Sequence, residues 1–320
     1  MILHNDKEMF NDLIEATAKS LNISSVFVEK DYWVIYILKK LSNSKYKNIA
    51  IFKGGTSLSK AYKIINRFSE DIDLAIITDG KNGNEIKKLI KKIEKTLLDE
   101  NFQEIDSPQT SKGSQFRKTI HQYPKIVEGD FGDANENLIL ELNSFAKPHP
   151  FLKKTISSYI YDFLNTQSEE AKKLIESYNL EPFEINVLDY KRTFCEKISA
   201  VARASYESDE NYSQLKEKIR HFYDIYYLMQ ENDINDFLNS EGIVKMITKV
   251  RDDDKKQFNS DWSNVKLHST KIFRNINILN ELENYYNNNF KTLVYSSLPE
   301  IGKIKTSFKK LSNLLKEKNL

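Results

Sequence analysis

Apolar residues recur at helical spacing near the start of the chain, where Phe10, Leu13, Ile14 and Leu21 share a face over residues 6–21. Ser24 and Ser25 offer caps for a second helix running to Leu41, with Val28, Tyr32, Ile35 and Leu38 on its apolar side. The pattern then changes. Residues 48–52 form a short apolar run that stops at Gly54-Gly55, which predicts a buried strand and a tight turn. A helix is expected over 56–65, a second strand over 72–77, and a basic amphipathic helix over 85–98 with Ile86, Leu89, Ile90, Ile93 and Leu97 in one stripe. Alternation typical of strands returns at 116–123 and 138–145. Helical spacing follows at 156–164 and 171–178, and a last strand is expected at 183–188. From residue 193 the period is helical almost throughout, with breaks near 206–212 and 230–235, and it ends in a lysine-rich helix at 303–318. The pattern predicts an α/β (α+β) chain: a mixed-sheet core with flanking helices over residues 1–190, then a helical domain over 191–320.

Composition narrows the class. Of 320 residues, 40% are hydrophobic and 12% aromatic, enough for a substantial core and against global disorder. A net charge of +2 does not mark the chain as a nucleic-acid binder, although local basic faces remain available. The single cysteine, Cys195, excludes an internal disulfide framework and fits a reducing compartment. The polar start lacks the pattern of a signal peptide, and no apolar run approaches the ~20 residues that span a bilayer. A cytoplasmic protein with no membrane partner is expected.

Chemistry concentrates in residues 52–74, FKGGTSLSKAYKIINRFSEDIDL. A strand delivers the chain to Gly54 and Gly55, where the lack of side chains lets backbone N–H groups approach a phosphate. A helix start follows, adding N–H groups and a positive dipole end. Thr56 and Ser57 carry hydroxyls suited to phosphate oxygens, and Lys53 and Arg67 flank the motif as phosphate or rim charges. Asp71 and Asp73 stand at i, i+2, so on a strand both carboxylates face the same way. Paired oxygen ligands suit Mg²⁺ or Mn²⁺ held together with substrate phosphates, the arrangement used in phosphoryl and nucleotidyl transfer. Each half alone reads as an ordinary turn or as solvent-facing acids; the combination points to an active site.

This stretch resembles the first motif of the AbiEii/AbiGii nucleotidyltransferase toxins, in the DNA polymerase beta nucleotidyltransferase superfamily. The resemblance extends to Glu29-Lys30-Asp31-Tyr32-Trp33, to Arg67-Phe68-Ser69-Glu70-Asp71-Ile72-Asp73-Leu74, to Arg192-Thr193-Phe194 with Glu196-Lys197, and to Arg220-His221-Phe222-Tyr223-Asp224. Lys256, Phe258 and Trp262 fit a looser C-terminal pattern. It covers roughly residues 25–265. The resemblance implies a fold with the nucleotide between core and helical domain, and transfer of a nucleoside monophosphate from an NTP to an acceptor hydroxyl. It further implies RNA, tRNA in particular, as acceptor, a cognate antitoxin as partner, and a role in abortive infection and phage defence or in growth control. Carried over by position, Asp71 and Asp73 would bind metal. Ser69 would contact phosphate or be modified by the enzyme itself. Lys197 would meet the nucleotide's phosphates, and Asp224 would orient Lys197 or support a proton transfer. His221 stands where many members have an aspartate.

Other candidates keep two readings. Glu141, in the run 138–143, is a third carboxylate acting as metal ligand or base, or else a surface-facing strand residue. Asp224 lies among apolar helix positions and needs a partner, for which Lys197 and Arg220 are the candidates. The lysine-rich segments at 87–95 and 303–318 are solvated faces or guides for a polyanion. The five histidines show no metal-ligand spacing, and Cys195 reads as a small buried hydrophobe. Two rival functions share these features: transfer to a small molecule or protein hydroxyl, and an inactive nucleotide- or RNA-binding module.

Overall fold

A polar segment capped by Asp6, whose carboxylate accepts from the Met9 amide, starts helix α1 (Lys7–Leu21). Helix α2 (Ser25–Ser42) follows and is almost wholly buried. The computed structural model describes residues 1–69, 71–258, 262 and 264–320; Glu70, quoted in the resemblance above, lies outside the described residues. The chain divides into two compact units: residues 1–63 with 68–188, and residues 64–67 with 189–320.

In the first unit β1 (Ala50–Lys53) runs into the short helix α3 (Gly54–Lys60), and β2 (Asp71–Ile76) follows. Helix α4 (Gly83–Leu97) is opened by a capping box, with Asn82 and Glu85 each satisfying the other's backbone amide. Then come β3 (Gln103–Glu104), β4 (Ser111–Lys112), β5 (Phe116–Gln122), β6 (Leu138–Asn143) and β7 (Phe151–Ile156). Helices α5 (Tyr159–Leu164) and α6 (Glu169–Ser177) lead to β8 (Phe183–Leu188). Among the described residues the strands form one mixed sheet in the order β3-β5-β6-β2-β1-β8-β7, with β4 paired to β5. β2 is antiparallel to β1 and parallel to β6. A mixed sheet with flanking helices is the expected fold class. The sequence reading placed a helix over 156–164; the first of those positions closes β7, and the helix begins at Tyr159. β7 lies at the sheet's end, and its exposed Lys153 is the kind of charge that edge strands carry in place of the alternating apolar signal of an inner strand.

Three consecutive charged residues on α2 are buried and tie the first unit together. Glu29 accepts from the amides of Ile126 and Val127 at 2.8 and 3.3 Å, and Lys30 donates to the Asn135 carbonyl. Asp31 pairs with Lys60 at 2.7 Å and accepts from the Tyr159 amide at 2.7 Å. The block read from sequence as part of the resemblance is therefore a set of internal fasteners, each charge meeting a polar partner as burial demands.

The second unit is helical: α7 (Tyr190–Glu207), α8 (Ser213–Lys216), α9 (Ile219–Leu228), α10 (Asn232–Asn239), α11 (Gly242–Gln257), α12 (Lys271–Arg274), α13 (Ile278–Asn288) and α14 (Ile301–Glu317). Its core includes Phe222 and Phe308, ring centroids 4.9 Å apart, with Phe273 stacked on Phe308. Buried Arg192 of α7 reaches Asp253 of α11 at 2.7 Å, and Lys256 pairs with the same carboxylate at 2.6 Å. Arg203 lies over the Phe258 ring, and Trp262 is buried. The looser C-terminal pattern thus coincides with the seam between α7 and α11. No helix among the described residues is long and apolar enough to cross a membrane.

Candidate active site

The first unit builds its acidic centre from one glycine and four strands. Gly54, directly after β1, has a φ of +80°, a conformation that costs glycine little and other residues much. A Cβ placed there would lie 2.1 Å from Asp73 Oδ2. Glycine is needed both for the turn and because the backbone runs against a carboxylate. Hydroxyls lock the turn in place. Ser57 Oγ donates to the Gly54 carbonyl at 2.8 Å, and Thr56 Oγ1 donates to the Asp71 carbonyl at 2.6 Å and lies 3.0 Å from Ser69 Oγ. Both hydroxyls were expected to meet phosphate oxygens. In the folded chain both residues are buried and direct their protons to the backbone, because a buried hydroxyl must find its partner nearby.

Asp71 and Asp73 share a face of β2, each half-buried, while Ile72 and Leu74 point into the core. Register fixes the neighbours of Asp73: Lys53 on β1 to one side and Glu141 on β6 to the other. Beyond Glu141 stands Lys118 of β5, its Nζ 2.8 Å from Glu141 Oε1. Burial, with Glu141 and Asp71 alongside, pushes the Asp73 carboxyl well above the usual carboxylate range; Lys53 works against that rise. Two carboxylates directly opposite on neighbouring strands repel each other, so the centre favours added positive charge.

The donors fit a divalent cation in a particular way. Among the described residues no three His, Cys, Asp or Glu side chains converge as a complete metal cage. Mg²⁺ does not demand one, since it is held by one or two carboxylates together with substrate phosphates and water. Asp71 and Asp73 supply that pair of hard oxygen donors. Glu141 has a side chain that is 24% exposed, with Lys118 against it.

The other predicted residues meet in the second unit. Asp224 on α9 is completely buried. Arg67 grips it with two hydrogen bonds of 2.8 Å, from Nε to Oδ1 and from Nη2 to Oδ2, and Lys197 of α7 reaches Oδ2 at 2.8 Å. Burial alone would raise the Asp224 carboxyl; Arg67 and Lys197 outweigh it and hold the group well below the usual range. The anticipated Lys197–Asp224 pair is present. Arg67 was expected as a phosphate contact or a rim charge. Its guanidinium is instead 3% exposed and locked on Asp224, since a carboxylate buried this deeply needs bidentate compensation. His221 lies near the same group; burial and the charges of Lys197 and Lys218 push its imidazole well below the usual histidine range.

Sequence reading missed Lys118 as a member of the acidic centre. The strand carrying it was legible, but its pairing with β6 was not.

The family model described as nucleotidyl transferase AbiEii toxin, type IV toxin–antitoxin system, matches residues 36–311. No curated protein matches the sequence. Among solved structures, the chain is similar to MenT4, a nucleotidyltransferase toxin from Mycobacterium tuberculosis H37Rv, with a TM-score of 0.51 and 14% identity over 95% of this chain and 98% of that one. It is also similar to JHP933 from Helicobacter pylori, with a TM-score of 0.44 and 13% identity over 92% and 94% of the two chains.

Proposed function

The chain belongs to the AbiEii family of nucleotidyltransferase toxins of type IV toxin–antitoxin systems, and on that premise we propose that it transfers a nucleoside monophosphate from an NTP to a hydroxyl of RNA, tRNA in particular. Membership carries with it an NTP substrate and a cognate antitoxin. In the proposed reaction the acceptor hydroxyl attacks the α-phosphorus, and pyrophosphate leaves. The setting is cytoplasmic, in growth control or phage defence.

Asp71 and Asp73 are the ligands of a divalent cation, Mg²⁺ or Mn²⁺. When bound, such an ion neutralises triphosphate charge and aligns the attacking and leaving oxygens. Gly54 and Gly55 leave the backbone open to a phosphate beside those carboxylates. Ser69 offers a hydroxyl to the same phosphates, and Lys53, the register partner of Asp73, adds positive charge. Lys197 meets the nucleotide's phosphates, and Asp224 sets its direction. Both Asp224 oxygens are engaged by Arg67 and Lys197, so of its two expected roles we keep the orienting one. Arg67 acts through Asp224 and does not touch the nucleotide.

The observation that supports this reading best is the contact of the Gly54 backbone with the Asp73 carboxylate. It makes turn and acidic strand a single device. The test is incubation with total cellular RNA, Mg²⁺ or Mn²⁺, and each α-labelled NTP in turn. Label should enter a tRNA-sized band with the wild type and fall at least about a hundredfold with Asp71→Ala, the scale of losing a charge-stabilising group. Label on protein or small molecules alone would move the acceptor. Equal labelling by Asp71→Ala would remove the metal assignment.

A further inference from the structure

Four charged residues stand in one transverse row of the sheet: Lys53 on β1, Asp73 on β2, Glu141 on β6 and Lys118 on β5, each the register partner of the next. The row reads plus, minus, minus, plus. Directly opposed residues on adjacent strands lie about 5 Å apart, so Asp73 and Glu141 repel unless a positive charge intervenes. Asp71, two residues back on the same face of β2, has apolar Ile139 as its partner on β6 and adds to the negative charge without sharing the row. Lys118 supplies the counter-charge on the outer side, 2.8 Å from Glu141 Oε1. Both partners are about a quarter exposed, 25% for Lys118 and 24% for Glu141. The pair therefore sits where it can open without disturbing the core.

We propose that Lys118 is a positioning residue that engages Glu141 beside the cation bound by Asp71 and Asp73, so that Lys118 and the cation compete for the Glu141 carboxylate. This rests on the divalent-cation reading of the Asp71–Asp73 pair. The physical reason is simple. A carboxylate with one ammonium against it donates less well to a second cation, and freeing it adds a third oxygen ligand beside the first two. Lys118 thus keeps the site at two protein carboxylates and leaves coordination positions to the triphosphate.

The test reads Mn²⁺ binding by electron paramagnetic resonance on the full chain without nucleotide. Lys118→Met removes the charge and keeps the length, and should tighten Mn²⁺ binding about two- to fivefold, the scale of a partly exposed ion pair. Lys118→Arg should bind as the wild type does. Lys118→Met combined with Glu141→Gln should return to the wild-type affinity. Unchanged or weaker binding by Lys118→Met, with its circular dichroism intact, overturns the proposal, as does tightening that survives Glu141→Gln. Should Lys118→Met be poorly folded, Lys118→Gln carries the same expectation and the same refutation. Asp71→Asn separates the two readings. If it abolishes Mn²⁺ binding while Lys118→Met changes nothing, only the role of Lys118 falls. If it leaves binding intact, the cation assignment falls and this inference with it.

Discussion

Gly54 is the residue with the narrowest choice of side chain, because two constraints meet on it. Its φ lies in the left-handed region, and a Cβ would strike the Asp73 carboxylate. Gly54→Ala must therefore shift either the turn or Asp73, at a cost of about 2 kcal/mol or more. The expected outcome is a lowered urea midpoint together with a near-complete loss of transfer. A variant with wild-type turnover would show that the Gly54–Asp73 contact is dispensable. Glycine at this position was legible from its place between an apolar run and a helical period. That it touches Asp73 was not, because the two residues are brought together only by the antiparallel pairing of β1 with β2. The hydroxyls of Thr56 and Ser57 teach the same lesson. Their type suggested phosphate contacts, and their burial assigns them to backbone carbonyls.

At the scale of elements, strongly periodic segments with local stop signals were read well. Helix α4 was expected at 85–98 and spans Gly83–Leu97. Its two-residue earlier start comes from Asn82, which accepts from the amides of Asn84 and Glu85, while the Glu85 carboxylate accepts from the Asn82 amide. Asn82→Ala removes the cap and should cost about 1 kcal/mol, seen as a lower urea midpoint at unchanged slope. An unchanged midpoint would mean that packing of Ile86, Ile90 and Ile93 alone fixes the start of the helix. Edge and very short strands were harder to see. β3 and β4 have two residues each, and β7 exposes Leu152, Lys153 and Thr155, so none shows a usable alternation. Such strands exist because a neighbour offers free backbone groups, and a propensity pattern does not record a neighbour.

Over the whole molecule, the stability of the second unit depends on a contact 157 residues apart in sequence, that of Arg67 with Asp224. Asp224 is more acidic in the folded chain than an ordinary carboxylate. A group of that kind adds stability above its unfolded value, near about 4, and loses it as pH falls through that range toward the folded value. Wild type should be more stable than Asp224→Asn by about 3–5 kcal/mol at neutral pH, the cost of leaving buried cations without their anion. The gap should shrink at pH 3. Urea melts at both values, followed by helical circular dichroism, check this; a gap independent of pH would show that Asp224 gains nothing from its charge.

The sequence by itself determined the α/β core followed by helices, the glycine turn, the paired aspartates and the family. All of these rest on spacing within a few residues, where backbone geometry ties position to direction. Only the tertiary structure decided that Arg67 serves Asp224, that Glu29, Lys30 and Asp31 fasten the first unit from inside, and that Lys118 faces Glu141. Those assignments depend on which strands pair and which charges are taken out of water together. A buried charge selects its partner by proximity in space, and no spacing along the chain encodes that choice.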